Sequence, residues 1–122
     1  MFRSGAVAGS PAAAAETIVC TVTVTGDWAV ATGVYLFGYC TLTVGTSGVS
    51  VLTRLRQTDT SGTVVKASGA TTATAGNLID RSIMGVDTNP TLGRQVYVMT
   101  LTIGSGAAAS TVSAAELVAI VV

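Results

Sequence analysis

The chain has 122 residues, six basic and six acidic side chains, no histidine and two cysteines. That length holds one domain around one core. A zero net charge argues against a phosphate-binding basic surface, and the missing histidines remove Ser-His-Asp and Cys-His catalysis. Only 10% of residues are charged against 49% hydrophobic, where an ordinary soluble domain carries about 25% charge. Much of the surface is therefore expected to be covered by another molecule. The composition predicts no enzyme, no cofactor and no metal, since two cysteines are too few for a zinc site.

A membrane is not expected either. The most apolar run, Leu117-Val118-Ala119-Ile120-Val121-Val122, falls far short of the roughly 18–20 residues of a spanning helix. A membrane barrel needs at least about eight strands of about ten residues with aromatic girdles, and this chain has six aromatics in all.

Residues 1–15 are rich in Gly, Ala, Ser and Pro and read as an extended N-terminal arm on a domain spanning 16–122. The arm lacks the leucine-rich centre of a signal peptide, so cytoplasmic synthesis is expected. A cleaved leader ending near Ala13–Ala15 is the competing reading. A neighbouring subunit is the expected anchor for the arm, with Phe2, Arg3, Val7 and Pro11 as its candidate lattice contacts.

From Glu16 onward the chain alternates threonine with aliphatic or aromatic residues, as in Thr21-Val22-Thr23-Val24-Thr25 and Val98-Met99-Thr100-Leu101-Thr102-Ile103. This period of two predicts strands with two unlike faces. They are placed at 17–25, 33–44, 49–57, 63–67, 78–86, 95–103 and 113–122, separated by Gly, Asp, Asn, Ser and Pro turn clusters. Seven to eight short strands predict an all-β fold, an antiparallel sandwich or jelly roll.

The first strand sets Cys20 in phase with Ile18, Val22 and Val24, all expected to point inward. Cys40 sits likewise among Leu36, Leu42 and Val44 on the second strand. Buried thiols are the preferred state in a reducing compartment, with a disulfide as the alternative. The second strand is apolar on both faces: Val34, Leu36, Cys40, Leu42 and Val44 alternate with Tyr35, Phe37 and Tyr39. Exposing most of three aromatics would forgo on the order of 10 kcal/mol as an upper bound. The last strand is two-sided as well, with Val112, Ala114, Val118, Ile120 and Val122 alternating with Ala115, Leu117, Ala119 and Val121. A subunit interface at Tyr35, Phe37, Tyr39, Val118, Ile120 and Val122 is the preferred reading. Cover by the chain's own arm or loops is the alternative. Glu116 interrupts the run as a guard against edge pairing or as the interface salt-bridge partner of an arginine.

Polar residues elsewhere read as structural. Arg54 and Arg56 share a strand face and are expected to be solvated or salt-bridged. Asp80 with Arg81, and Asp87 with Arg94, are candidate ion pairs, and the aspartates lie in or beside turns. Trp28, alone in its loop, is expected to close one end of the sandwich.

In its Gly/Ala/Thr-rich strands, its leaderless small arm, and the stretch Val96-Tyr97-Val98-Met99-Thr100-Leu101-Thr102-Ile103 followed by 111–122, the chain resembles virion structural proteins of tailed bacteriophages. It is similar to the small capsid decoration (cement) proteins, and also to trimeric jelly rolls with tumour-necrosis-factor-like packing. The resemblance implies a homo-oligomer, commonly a trimer, made in the host cytoplasm. That oligomer would sit on the capsid surface of a virion against a major capsid protein or another virion protein. A tail, fibre or small capsid subunit is the alternative within the structural class. Outside it stands a lectin-like glycan-binding module using Trp28 and the loop around Asp87.

Overall fold

A computed structural model of the chain describes residues 2–3, 15–26, 33–104 and 110–122. Among these residues nine strands follow one another: β1 (Phe2–Arg3), β2 (Glu16–Thr25), β3 (Val34–Thr43), β4 (Val49–Gln57), β5 (Val64–Ala67), β6 (Thr71–Ala73), β7 (Ile79–Asp87), β8 (Arg94–Ile103) and β9 (Thr111–Val121). They form two antiparallel sheets, here sheet I in the order β1-β9-β3-β7 and sheet II in the order β2-β8-β4-β5. Strand β6 pairs with β4 beside β5. With β5 and β6 taken as one interrupted strand, the pairs β1–β9, β2–β8, β3–β7 and β4–β5/β6 nest one inside the next. That nesting is a long antiparallel hairpin rolled into a jelly roll, the expected fold class.

The core lies between the sheets and follows the period of two. Sheet I contributes Val34, Leu36, Cys40, Leu42, Ala115, Leu117 and Ala119, while sheet II contributes Val22, Val24, Val51, Leu55, Tyr97, Met99, Leu101 and Ile103. Gly38 keeps the phase of the inward residues on β3, and a Cβ there would stand 2.8 Å from Met99 Sδ and 3.1 Å from Ile83 Cγ2. The glycine lets the two sheets close over the middle of the core. Cys20 and Cys40 are both buried, in opposite sheets, and no disulfide joins them. Burial pushes the Cys40 thiol up to about 11.

Two bulges interrupt the strict alternation, and the first overturns the phase expected for Ile18. In β2 the register with β8 slips between Ile18 and Cys20, so Val19 and Cys20 are both buried while Ile18, expected inward, is exposed. In β9 the register with β3 slips between Thr41 and Leu42, whose partners are Ala114 and Val112. Val112 points inward, but beyond the slip Ala115, Leu117 and Ala119 take the core, and Val118 and Ile120 face out.

Polar groups on β7 tie the two sheets together. Arg81, on the inward-facing phase of β7, donates to Ser68 Oγ at 2.8 Å, to the Gly69 carbonyl at 2.9 Å and to Thr71 Oγ1. It thereby fills the break between β5 and β6. Asp87 accepts the Tyr97 hydroxyl at 2.7 Å and the Gln57 amide at 2.6 Å. Both residues thus serve sheet II, and neither forms the ion pair expected with Asp80 or Arg94.

Candidate functional site

The two outer faces of the roll differ sharply. On sheet II the Glu16 carboxylate accepts Arg56 Nε at 2.7 Å, Arg56 Nη2 at 3.0 Å and Thr100 Oγ1 at 2.6 Å. Arg54 lies 3.9 Å from the same carboxylate and donates to Thr102 Oγ1 at 3.1 Å. The Arg56 hydrogen bond is the main force holding the Glu16 carboxyl below the usual glutamate range, against the opposing effect of burial. The same contact raises the Arg56 guanidinium. Arg54 and Arg56 are thus both partnered within the chain.

The outer face of sheet I is apolar and open. Its registers place side chains in rows across β9, β3 and β7: Ile120–Tyr35–Val86, then Val118–Phe37–Met84, then Glu116–Tyr39–Ser82, then Ala114–Thr41–Asp80. The first two rows form one apolar block, in which Tyr35 is 42% exposed, Phe37 40% and Met84 63%. Side chains directly opposite on neighbouring strands stand close enough to touch, so the block is continuous. The last two rows are polar. Tyr39 and Thr41 share a hydrogen bond at 2.6 Å, and Thr41 Oγ1 donates to Asp80 Oδ1 at 2.8 Å. A groove of about 860 Å³, whose walls include Phe37, Tyr39, Met84, Glu116 and Lys66, continues the face toward the β7 edge.

Five of the six residues predicted as an interface, Tyr35, Phe37, Tyr39, Val118 and Ile120, are thus brought onto this one face. Val122 lies at its end, 53% exposed, with backbone hydrogen bonds to Gly33 at 3.0 and 3.3 Å. Of the arm residues, Phe2 pairs with Ala119 and packs half-buried against the chain's own core. Arg3 pairs with Val118 on β9 and turns out to bridge Glu116 at 2.7 Å. The arginine that Glu116 meets therefore belongs to its own chain and not to an interface. Val7, Pro11 and Trp28 lie outside the described residues.

Met84 and Val86 were not foreseen as part of the face. The even positions of β7 run Asp80, Ser82, Met84, Val86, polar then apolar, so the strand alone shows no apolar side; only its register against β3 aligns the apolar half with Tyr35 and Phe37. In the loop named by the glycan-binding alternative, Asp87 itself is 6% exposed and turned onto Tyr97 and Gln57. Among the described residues no three potential metal ligands cluster, and no helix is long and apolar enough to cross a membrane.

No protein-family model matches this sequence, and no relative is found among curated proteins. Solved structures do match. The structure of infectious bursal disease virus, Gt strain, aligns with a TM-score of 0.61 at 12% identity, covering 97% of this chain and 31% of the viral one. The VP2 subviral particle of the same virus aligns equally, with a TM-score of 0.61, 12% identity and the same 97% and 31% coverage. A CBM4 structure is more distant, with a TM-score of 0.47 and 14% identity over 96% of this chain and 84% of that one. The chain spans about a third of the length of the viral chains it matches. At these identities the likeness is one of fold: this β-sandwich is built like a domain found in a virus particle.

Proposed function

We propose that the chain is a structural protein of a virion, a decoration subunit that associates with further copies of itself and stabilises the particle surface on which it sits. The observation that carries this reading is the apolar block of Tyr35, Phe37, Met84, Val86, Val118 and Ile120 on the outer face of sheet I. Contiguous apolar patches of this kind mark interaction surfaces on soluble domains. The jelly roll shared with a virus-particle protein supports the same reading. The mechanism is burial: each copy whose sheet face is shielded by a neighbour stabilises the assembly, and the assembly stabilises the folded chain by mass action. The partners are copies of this chain and a coat protein of the particle.

Gradient sedimentation of particles from cells that produce the chain tests this, with the chain followed by antibody. The chain is expected in the particle fractions, and Phe37→Glu is expected to shift it to the top of the gradient. A wild-type chain found only at the top, beside intact particles, overturns the reading.

A further inference from the structure

Resting on that reading of sheet I as an assembly surface, we infer that the occupant of the outer face is the same face of a second copy, related by a two-fold axis running close to β3. The four rows decide between arrangements. An axis along β3 lays β9 of one copy over β7 of the other and keeps every row over itself. Val118 then meets the partner's Met84, Ile120 the partner's Val86, and Phe37 its own counterpart near the axis. Apolar rows cover apolar rows and polar rows cover polar rows. An axis across the strands reverses the row order and lays the rows of Tyr35 and Phe37 over those of Tyr39 and Thr41, unless the copies slide apart and lose half the overlap.

Charge agrees with the first arrangement. Arg3 sits on the β9 side, reaching the row of Glu116. Asp80 sits on the β7 side, one row further on, and accepts hydroxyls but has no basic partner among the described residues. Laying β9 over the partner's β7 brings each Arg3 toward the partner's Asp80, once on each side of the axis. This is the self-complementarity an isologous contact requires.

The area is also suitable. Aromatic side chains of about 150–250 Å², less than half exposed, leave on the order of 400 Å² of apolar surface in the block once the aliphatic residues are added. That is about half of the roughly 800 Å² each partner contributes to a standard interface. The polar rows and Arg3 supply the rim around this apolar centre.

Sedimentation equilibrium of the full chain tests the inference, with each variant's far-ultraviolet spectrum and melting checked beside it. The wild type is expected at twice the chain mass of 12.1 kDa, and Phe37→Glu at the single mass with its fold intact. Asp80→Lys is expected to raise the dimer dissociation constant by about tenfold. Thr41→Cys, four residues from Phe37 along β3, is expected to be joined to its counterpart by a short bis-maleimide, since the native thiols are buried. A single-chain or three-fold wild-type mass overturns the pair, as does a dimer insensitive to Phe37→Glu. Pairing without the Thr41→Cys cross-link overturns the axis, and an unchanged constant in Asp80→Lys overturns the charge contact. A chain that pairs in solution but does not travel with particles keeps this inference and loses the virion reading; one that travels singly does the reverse.

Discussion

Asp87 and Tyr97 join the two sheets through the interior: the Tyr97 hydroxyl, on sheet II, donates to Asp87 Oδ2, on sheet I, at 2.7 Å. The same carboxylate accepts the Gln57 amide at 2.6 Å and the Asn89 backbone N–H at 3.0 Å. A buried carboxylate with three donors is satisfied; with one removed it bears a desolvation cost.

Tyr97→Phe removes the hydroxyl and little else. It is expected to cost about 1–3 kcal/mol, because the carboxylate it leaves behind stays buried. Urea unfolding should show a lower midpoint with an unchanged slope. An unchanged midpoint would mean that the hydroxyl contributes nothing net to holding the sheets together.

Alkaline pH acts through Cys40. Its thiol is pushed up to about 11 in the folded chain against 9.0 in the unfolded one, chiefly by burial. Below pH 9 both states hold the proton and the folded state keeps its full stability. Between pH 9 and 11 the unfolded thiol ionises first, so stability falls as pH rises, by on the order of 2 kcal/mol. Tyr97, raised by burial and then by Asp87, adds in the same direction above its ordinary range. Unfolding midpoints measured from pH 7 to 11 should therefore decline, and decline less steeply in Cys40→Ala. Parallel curves for the two proteins would remove Cys40 from the account.

Gly38→Ala tests the closeness of the sheets. The new methyl would stand 2.8 Å from Met99 Sδ and 3.1 Å from Ile83 Cγ2, and Met99 is fully buried. Overpacking of this kind costs about 1–3 kcal/mol. Thermal melting should show the loss, and Gly38→Ala combined with Met99→Ala should lose less than the sum of the two single losses.

Much of the fold was readable from residue order because a strand's faces alternate with an invariant period. Seven of the nine strands lie within two residues of their expected places. Tyr35, Phe37 and Tyr39 fall on the opposite face from Leu36, Cys40 and Leu42, as their spacing requires. The two short strands escaped for different reasons. Strand β1 is two residues with no alternation to read, and β6 lies beyond a break at Ser68–Ala70 that Arg81 fills from the other sheet.

What the residues determined unaided was the all-β class, the inward set on most strands and the presence of a surplus apolar face on β3. Only the three-dimensional pairing added Met84 and Val86 to that face and set Val118 and Ile120 directly beside Phe37 and Tyr35. An extra residue at Val19 turns Ile18 outward, and one at Ser113 turns Ala115, Leu117 and Ala119 inward and so brings Val118 and Ile120 out beside Phe37 and Tyr35. A bulge changes phase without changing composition, so it leaves no mark in the alternation until a partner strand shows which residue went unpaired. The same holds for Arg3 with Glu116 and Asp87 with Tyr97: each contact joins strands whose adjacency or stacking arises only when the long hairpin rolls up.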